Sequence, residues 1–260
     1  MRATRQLCLA IILLLLPARL QAVPPIESGD VPTADKGRFE WYVGTLFEKS
    51  DGTLNRELPV MELVYGLTDR QELNFEIPWL SEHGVHGWED AIVGTKYMFV
   101  KETNTLPGIA GSLQVKLPSA STSRGLGTGE FDYNLLLRVQ KTWGRYTLLG
   151  NLGYTFIGEP TIDGITEPRD NVWFASLVQF YEIAERTSLL GEVLFETSDE
   201  PGAPNRFATN IGIERELADN FKVHAAIGTS LREHQRGGPE MRAYIGFKWE
   251  FDAPWKTALN

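Results

Sequence analysis

The chain is nearly without cysteine: of 260 residues only Cys8 is one, and it falls in an N-terminal apolar run. Beyond that run there is no thiol, which excludes disulfides, cysteine metal ligands and a cysteine nucleophile. Long apolar runs are equally scarce. Mean hydropathy is −0.20, which excludes a bundle of membrane helices. The one continuous apolar stretch, Leu7 to Pro17, is too short to span a bilayer. Arg2 and Arg5 precede it and Arg19-Leu20-Gln21-Ala22 follows, so residues 1–22 read as a signal peptide with Ala22 the last residue removed. No small-residue lipobox precedes Cys8, so a lipoprotein is not expected. Positive charge is also in deficit, 25 Lys and Arg against 34 Asp and Glu, a formal net charge of −9. Loss of Arg2, Arg5 and Arg19 with the signal takes it to −12. An acidic surface argues against nucleic acid as a partner.

What is abundant is turn-forming and aromatic residues, with 25 glycines and 11% Phe, Trp and Tyr. Between them the side chains alternate. In 241–251 the odd positions Met241, Ala243, Ile245, Phe247, Trp249 and Phe251 are apolar. The even positions Arg242, Tyr244, Gly246, Lys248 and Glu250 are mostly polar. A strand sends successive side chains to opposite faces, so this segment has one greasy and one wet face. Twelve such strand candidates lie near 38–49, 55–67, 71–80, 89–101, 107–118, 129–142, 145–157, 170–183, 186–197, 205–217, 220–231 and 240–251. Two are mixed. In 170–183, Val172, Phe174, Val178 and Phe180 compete with Trp173, Ala175, Leu177 and Tyr181. In 186–197, Leu190 and Leu194 share a face with Glu192 and Glu196.

Connections alternate too. Tight ones are Thr68-Asp69-Arg70, Trp143-Gly144, Ala184-Glu185-Arg186 and Ala218-Asp219-Asn220. Longer Gly, Pro and Ser-rich ones include Ser81 to Gly87, Ser119 to Gly127 and Glu159 to Pro168. Short turns on one rim and long loops on the other are the pattern of an all-β, antiparallel transmembrane β-barrel of about 12 strands. Its short turns are periplasmic and its longer loops extracellular, and an even strand count leaves both termini in the periplasm. The competing architecture is a secreted sandwich or lipocalin-like barrel with the apolar face inward. Three features favour the membrane. The strands have about the 9–11 residues that cross a bilayer when tilted. Apolar stripes end in aromatics such as Trp41, Tyr65, Trp79, Tyr97 and Phe99, as interfacial girdles do. The last strand closes on Trp249 and Phe251. The expected organisation is signal peptide 1–22, an irregular Pro-rich arm 23–36, a barrel over 37–251 and a tail 252–260.

Several segments in order carry a resemblance: the Tyr65-Gly-Leu-Thr-Asp-Arg70 turn, Trp88-Glu-Asp-Ala-Ile-Val-Gly-Thr-Lys-Tyr97, Lys116-Leu-Pro118, Gly125-Leu-Gly-Thr-Gly129, Asn151-Leu-Gly-Tyr154 and Glu192. Together, over roughly 37–251, they resemble the phenol-degradation meta-pathway (MetA-pathway) family of outer-membrane, transporter-like barrels. The resemblance implies a twelve-stranded barrel in the cell outer membrane and uptake of small, often aromatic or hydrophobic compounds. The nine residues after Phe251 depart from barrels that stop at the aromatic.

If the apolar faces meet lipid, the others line a lumen, because Arg or Lys on the lipid face costs about 2–4 kcal/mol at the midplane. Lumen-lining candidates are Asp90, Lys96, Lys116, Asp132, Arg138, Asn151, Glu192, Glu196, Glu214, His224, Arg242 and Lys248, with Gln114, Asn134, Asn210 and Lys222 beside them. Such a set either forms a polar path for a solute or fills a closed barrel with ion pairs. Glu82, His83, His86 and Asp90 are close in sequence, but a Gly-flanked loop offers no rigid frame, so no metal is expected. No catalytic residues are expected either. His224 is the only strand histidine, no motif places a nucleophile, and the 125–129 loop lacks the lysine of a phosphate cradle. The expected function is a passive outer-membrane channel without cofactor or energy source. Its partners are outer-membrane lipid, a small-molecule solute and, during biogenesis, the assembly machinery. A closed structural barrel, an outer-membrane lipid-modifying enzyme and a soluble lipid-binding barrel are the alternatives.

Overall fold

The computed structural model describes residues 27–50, 53–82, 84–162, 164–231 and 241–255. The expected signal peptide 1–22, the first arm residues 23–26, His83 and the end of the tail, 256–260, lie outside the described residues.

Fifteen strands follow in chain order: β1 (Arg38–Ser50), β2 (Thr53–Thr68), β3 (Gln71–Glu82), β4 (Val85–Trp88), β5 (Ile92–Val100), β6 (Gly108–Lys116), β7 (Asp132–Trp143), β8 (Tyr146–Phe156), β9 (Thr161–Ile162), β10 (Ile165–Thr166), β11 (Val172–Ala184), β12 (Thr187–Glu196), β13 (Arg206–Ala218), β14 (Phe221–Ser230) and β15 (Met241–Asp252). Twelve of them form the wall, in the order β1-β2-β3-β5-β6-β7-β8-β11-β12-β13-β14-β15, each antiparallel to its neighbours. β15 pairs back onto β1, with Phe39 opposite Phe251 and Trp41 opposite Trp249, so the sheet is a closed cylinder. Closure leaves none of the twelve wall strands at an open sheet edge, the condition for crossing hydrocarbon with strands. No described helix is long and apolar enough to cross a membrane.

The faces settle which surface meets lipid. Phe131, just before β7, and Tyr133, Leu135, Leu137 and Val139 on it stand exposed on the outside. Between them Asp132, Asn134 and Arg138 are buried in the bore. Ile245 is 62% exposed, and its neighbour Tyr244 points inward at 8%. Aromatics ring both ends. At the short-turn rim are Phe39, Tyr65, Trp143 and Trp249. At the other rim Trp79 packs edge-on against Trp88 and Tyr154 against Trp173, at 4.9 and 4.6 Å.

Two expected features are corrected. The strand expected over 89–101 starts only at Ile92, as β5: Glu89, Asp90 and Ala91 separate it from β4, and both β4 and β5 pair with β3. The connection expected to be long over Ser81 to Gly87 is instead a tight β3–β4 hairpin, with Gly84 at φ +84° where side chains are disfavoured. The start of the tail is also ordered. The Ala253 N–H donates to the Gly37 carbonyl (3.0 Å), and the Trp255 ring meets Phe39 and Tyr65, each at 5.7 Å.

Candidate functional site: a bore threaded by the N-terminal arm

The arm runs through the cylinder. Lys36 bridges to Gly66 beside the Thr68-Asp69-Arg70 turn, which fixes that end at the short-turn rim. Gly66 is required there, since a Cβ would lie 2.1 Å from the Asp35 carbonyl oxygen. At the other end Glu27 ion-pairs with Arg206 and Arg242, which begin β13 and β15 at the long-loop rim. Ten extended residues reach about 33 Å, enough to traverse a hydrocarbon core of about 30 Å.

The arm finds partners on several strands. The Ala34 N–H donates to Glu72 (2.7 Å), and the Asp30 carboxylate sits 3.2 Å from the Lys96 ammonium, which is 3.1 Å from Glu72. The Val31 N–H donates to the Gln140 side chain (3.3 Å). Val31 itself packs against Met98, Ala110, Leu149 and Val178, a small dry patch inside the bore. Gly29 passes so close to Arg138 that a Cβ would lie 2.6 Å from its Nε. The Ser28 hydroxyl donates to Glu192 and contacts the Ser176 hydroxyl, and the Glu27 N–H donates to Glu192 at 3.1 Å.

The expected lumen residues all lie on inward-facing positions or at the bore's rim, but they fall into groups with different work. Lys96, Glu192 and Arg242 hold the arm. Arg138 lies under Gly29 and donates to Ser112 at 2.9 Å. Asn151, opposite Arg138 on β7 and Ser176 on β11, has both amide atoms buried without a hydrogen-bond partner among the described residues. Asp90, Lys116 and Asp132 instead buttress the long-loop rim. Asp90 accepts from the backbone N–H groups of Ala120 (2.8 Å) and Thr128 (3.2 Å). Lys116 contacts Asp132 at 2.6 Å and Thr128 at 2.7 Å. Glu196 pairs with Arg206 (3.3 Å) and Glu214 with Lys222 (2.7 Å). His224 faces the Tyr244 hydroxyl at 3.3 Å, and Lys248 lies between Glu40 (3.4 Å) and Glu250 (2.7 Å).

Of the four neighbours in the 82–90 segment only His86 and Asp90 have described side chains. His86 bonds Ser81 on the β3–β4 hairpin (3.0 Å), Asp90 is occupied by the loop, and His83 and the Glu82 side chain lie outside the described residues. Among the described residues no group of three His, Cys, Asp or Glu could hold a metal ion. In the outer loops Arg169 ties Asp199 (3.2 Å), Glu167 (3.3 Å) and Glu200 (3.8 Å) together. Burial beside Asp199 pushes the Glu200 carboxyl up from its ordinary pKa.

Several bore residues are missing from the sequence-based set: Glu40, Glu48, Glu62, Glu72 and Glu76 on β1 to β3, and the arm's Glu27, Ser28, Asp30 and Val31. The carboxylates carry the same signal as the rest. Glu62 lies between Met61 and Leu63, and Glu72, Asn74 and Glu76 alternate with Leu73, Phe75 and Ile77. The arm has no such periodicity.

A closed antiparallel cylinder with an apolar belt, two aromatic girdles and an ionised bore is an outer-membrane β-barrel of channel or porin-like fold. Solved structures agree. The COG4313 outer membrane channel from Pseudomonas putida F1 superposes with a TM-score of 0.72 at 15% identity, covering 87% of this chain and 100% of that one. A KdgM porin in complex with disordered oligogalacturonate superposes with a TM-score of 0.57 at 12% identity, covering 81% and 99%. No curated protein sequence matches the chain. The family model described as "Putative MetA-pathway of phenol degradation" matches residues 29–241, and the chain belongs to that family.

Proposed function

We propose that the protein is a passive outer-membrane channel for small molecules, narrowed by its own N-terminal arm. The observation that carries this is how the arm is held. It crosses the bore on hydrogen bonds, ion pairs and one small apolar patch around Val31, with no covalent tie above its junction with β1. Such contacts exchange with water and ions, whereas the wall is one continuous hydrogen-bonded ladder. The arm is therefore the part that yields. The bore also carries inward apolar residues, Leu149, Val178, Leu190 and Leu194, among its charges. They suit small, partly apolar or aromatic solutes better than free ions. The reading needs no cofactor and no energy source, and no chemistry at His224, which faces a tyrosine and not a serine. Planar-bilayer recording of the full mature chain and of a variant lacking 27–34 tests it. The full chain conducts in small, ion-sensitive steps, and the deletion conducts several-fold more. Silence from both, with folded barrels on gels, would leave the closed structural barrel as the reading.

A further inference from the structure

The arm does not touch the whole wall. Its contacts run from Gly66 and Glu72 across β5, β6, β7 and β8 to Glu192, Arg206 and Arg242. Among the described residues no arm contact reaches the inner faces of β2 and β3 beyond Glu72; Glu62 there has Lys96 and Arg138 within electrostatic reach, but Glu76 has no cation beside it. Glu62 and Glu76 are direct cross-strand partners on the inward face, 7% and 4% exposed. Side chains placed so have Cβ atoms about 4.5–5.5 Å apart, and like charges there repel. Glu62 receives one hydrogen bond, from the Asn74 amide at 3.2 Å. Glu76 has no hydrogen bond and no ion pair among the described residues, and its electrostatic neighbours are Glu62, Glu57 and Glu89. Elsewhere in the bore the buried carboxylates have cations or several donors: Asp132 has Lys116, Glu72 has Lys96, and Glu192 has Ser28, Asn210 and a backbone N–H.

Two tyrosines stand beside the pair on the same wall, Tyr42 as the cross-strand partner of Glu62 on β1 and Tyr244 on β15. Tyr244 lies within electrostatic reach of both Glu62 and Glu76, and Tyr42 within reach of Glu62. Tyr244 lies over the Gly44 and Gly246 backbones and packs with Leu46 and Val60. The nearest cation on that wall is engaged: Lys248 pairs with Glu40 and Glu250 and lies 5.8 Å from the Tyr42 ring centroid, while the His224 ring faces the Tyr244 hydroxyl. Two facing carboxylates, one of them without a donor among the described residues, beside the Tyr244 ring ask for a cation with an apolar body. A carboxylate pair clasps an ammonium head, and tyrosine faces attract the same charge and cover the attached carbon. Two carboxylates alone are too few for a hard divalent ion, which takes six or more oxygens.

We propose that Glu62, Glu76 and Tyr244 form a binding site for a small organic ammonium ion, so that the bore selects cationic amines. The site lies in the bore taken above as the solute route and rests on that reading for its access. The test measures binding, not passage. Full mature protein, refolded in detergent, is titrated calorimetrically at pH 8 with benzylammonium chloride, benzyl alcohol and sodium benzoate. Benzylammonium binds at least tenfold more tightly than the other two. Glu76→Gln and Glu62→Gln each weaken it tenfold or more, and Tyr244→Leu weakens it several-fold. Heat-modifiable migration on gels establishes that each variant is a folded barrel, and Glu62→Gln stands in should Glu76→Gln fail to fold. Equal binding of the three probes overturns the proposal. So does unchanged benzylammonium affinity in the Glu62→Gln/Glu76→Gln double variant. Absence of benzylammonium binding overturns it as well, and would mean that the two carboxyls share a proton. Loss of conductance with binding intact would sink the channel reading and leave this site standing.

Discussion

The outer surface of the cylinder and the surface of its bore are made by the same strands, yet they obey different rules. Outside, one solvent decides everything. Leu135, Leu152, Ile211 and Ile245 stand 48–62% exposed, as side chains meant for hydrocarbon do. Inside, composition follows the arm. Where it lies, the wall offers Val178 and Leu149 to Val31, and cations to Glu27 and Asp30. Where it is absent, Glu62 and Glu76 face each other with no ion pair among the described residues. The belt is thus written by the bilayer and the bore by a ten-residue segment of the chain itself.

The sharpest way to break this contrast is to exchange the rules on one strand. Ile245→Arg places a cation in the belt at a cost of about 2–4 kcal/mol near the midplane. Assembly is expected to fail, read as loss of heat-modifiable migration and of protein in outer-membrane fractions. Lys248→Gln, three residues on and facing the bore, leaves a folded barrel. Equal damage from the two would refute the assignment of faces.

Next comes the arm. Val31→Asp puts a carboxylate against Met98, Ala110, Leu149 and Val178, where no donor waits. The arm is expected to leave the bore, with conductance rising toward that of the 27–34 deletion and the barrel's melting temperature little changed. A variant that conducts like the parent would show that the arm does not limit passage.

A smaller effect separates residues that look alike in sequence. Arg138 lies beside the arm in the bore, whereas Lys116 clamps Asp132 and Thr128 at the rim. Arg138→Glu is expected to shift the reversal potential in a salt gradient toward cation selectivity. Lys116→Glu mainly loosens the 117–131 loop, visible as proteolysis there. No change in selectivity from Arg138→Glu in a conducting protein would remove it from the path.

These residues also mark how far the sequence can be read. Wall strands were legible because period-2 alternation is local: Leu135 and Leu137 against Asn134 and Arg138 need no knowledge of the rest of the chain. The two ambiguous strands mark where that logic stops. Val178, Leu190 and Leu194 face inward and are apolar because the bore is partly filled. The filler, 27–36, has no period of its own, and its partners are scattered over β3, β5, β7, β11, β12, β13 and β15. Nothing within a short window of sequence encodes that. The break between β4 and β5 at Glu89 to Ala91 escaped for a related reason. Asp90 turns aside to accept hydrogen bonds from a loop some thirty residues on.

The smallest expected effect tests the contrast inside the bore by its sign. Glu192 and Glu76 are both buried glutamates at inward positions, and both look alike in a hydropathy plot. Glu192→Gln leaves one neutral acceptor oxygen where two charged ones serve Ser28, Asn210 and the Glu27 N–H, so it should lower the melting temperature in detergent and free the arm. Glu76→Gln removes a like-charge contact with Glu62 and breaks no bond, so it should raise the melting temperature slightly, by about 0.2–1 kcal/mol of relieved repulsion. Opposite signs would show that the arm, and not burial as such, decides which bore carboxylates are stabilising. A fall in both would mean that Glu76 has a stabilising partner, and the asymmetry between the covered and bare walls would vanish.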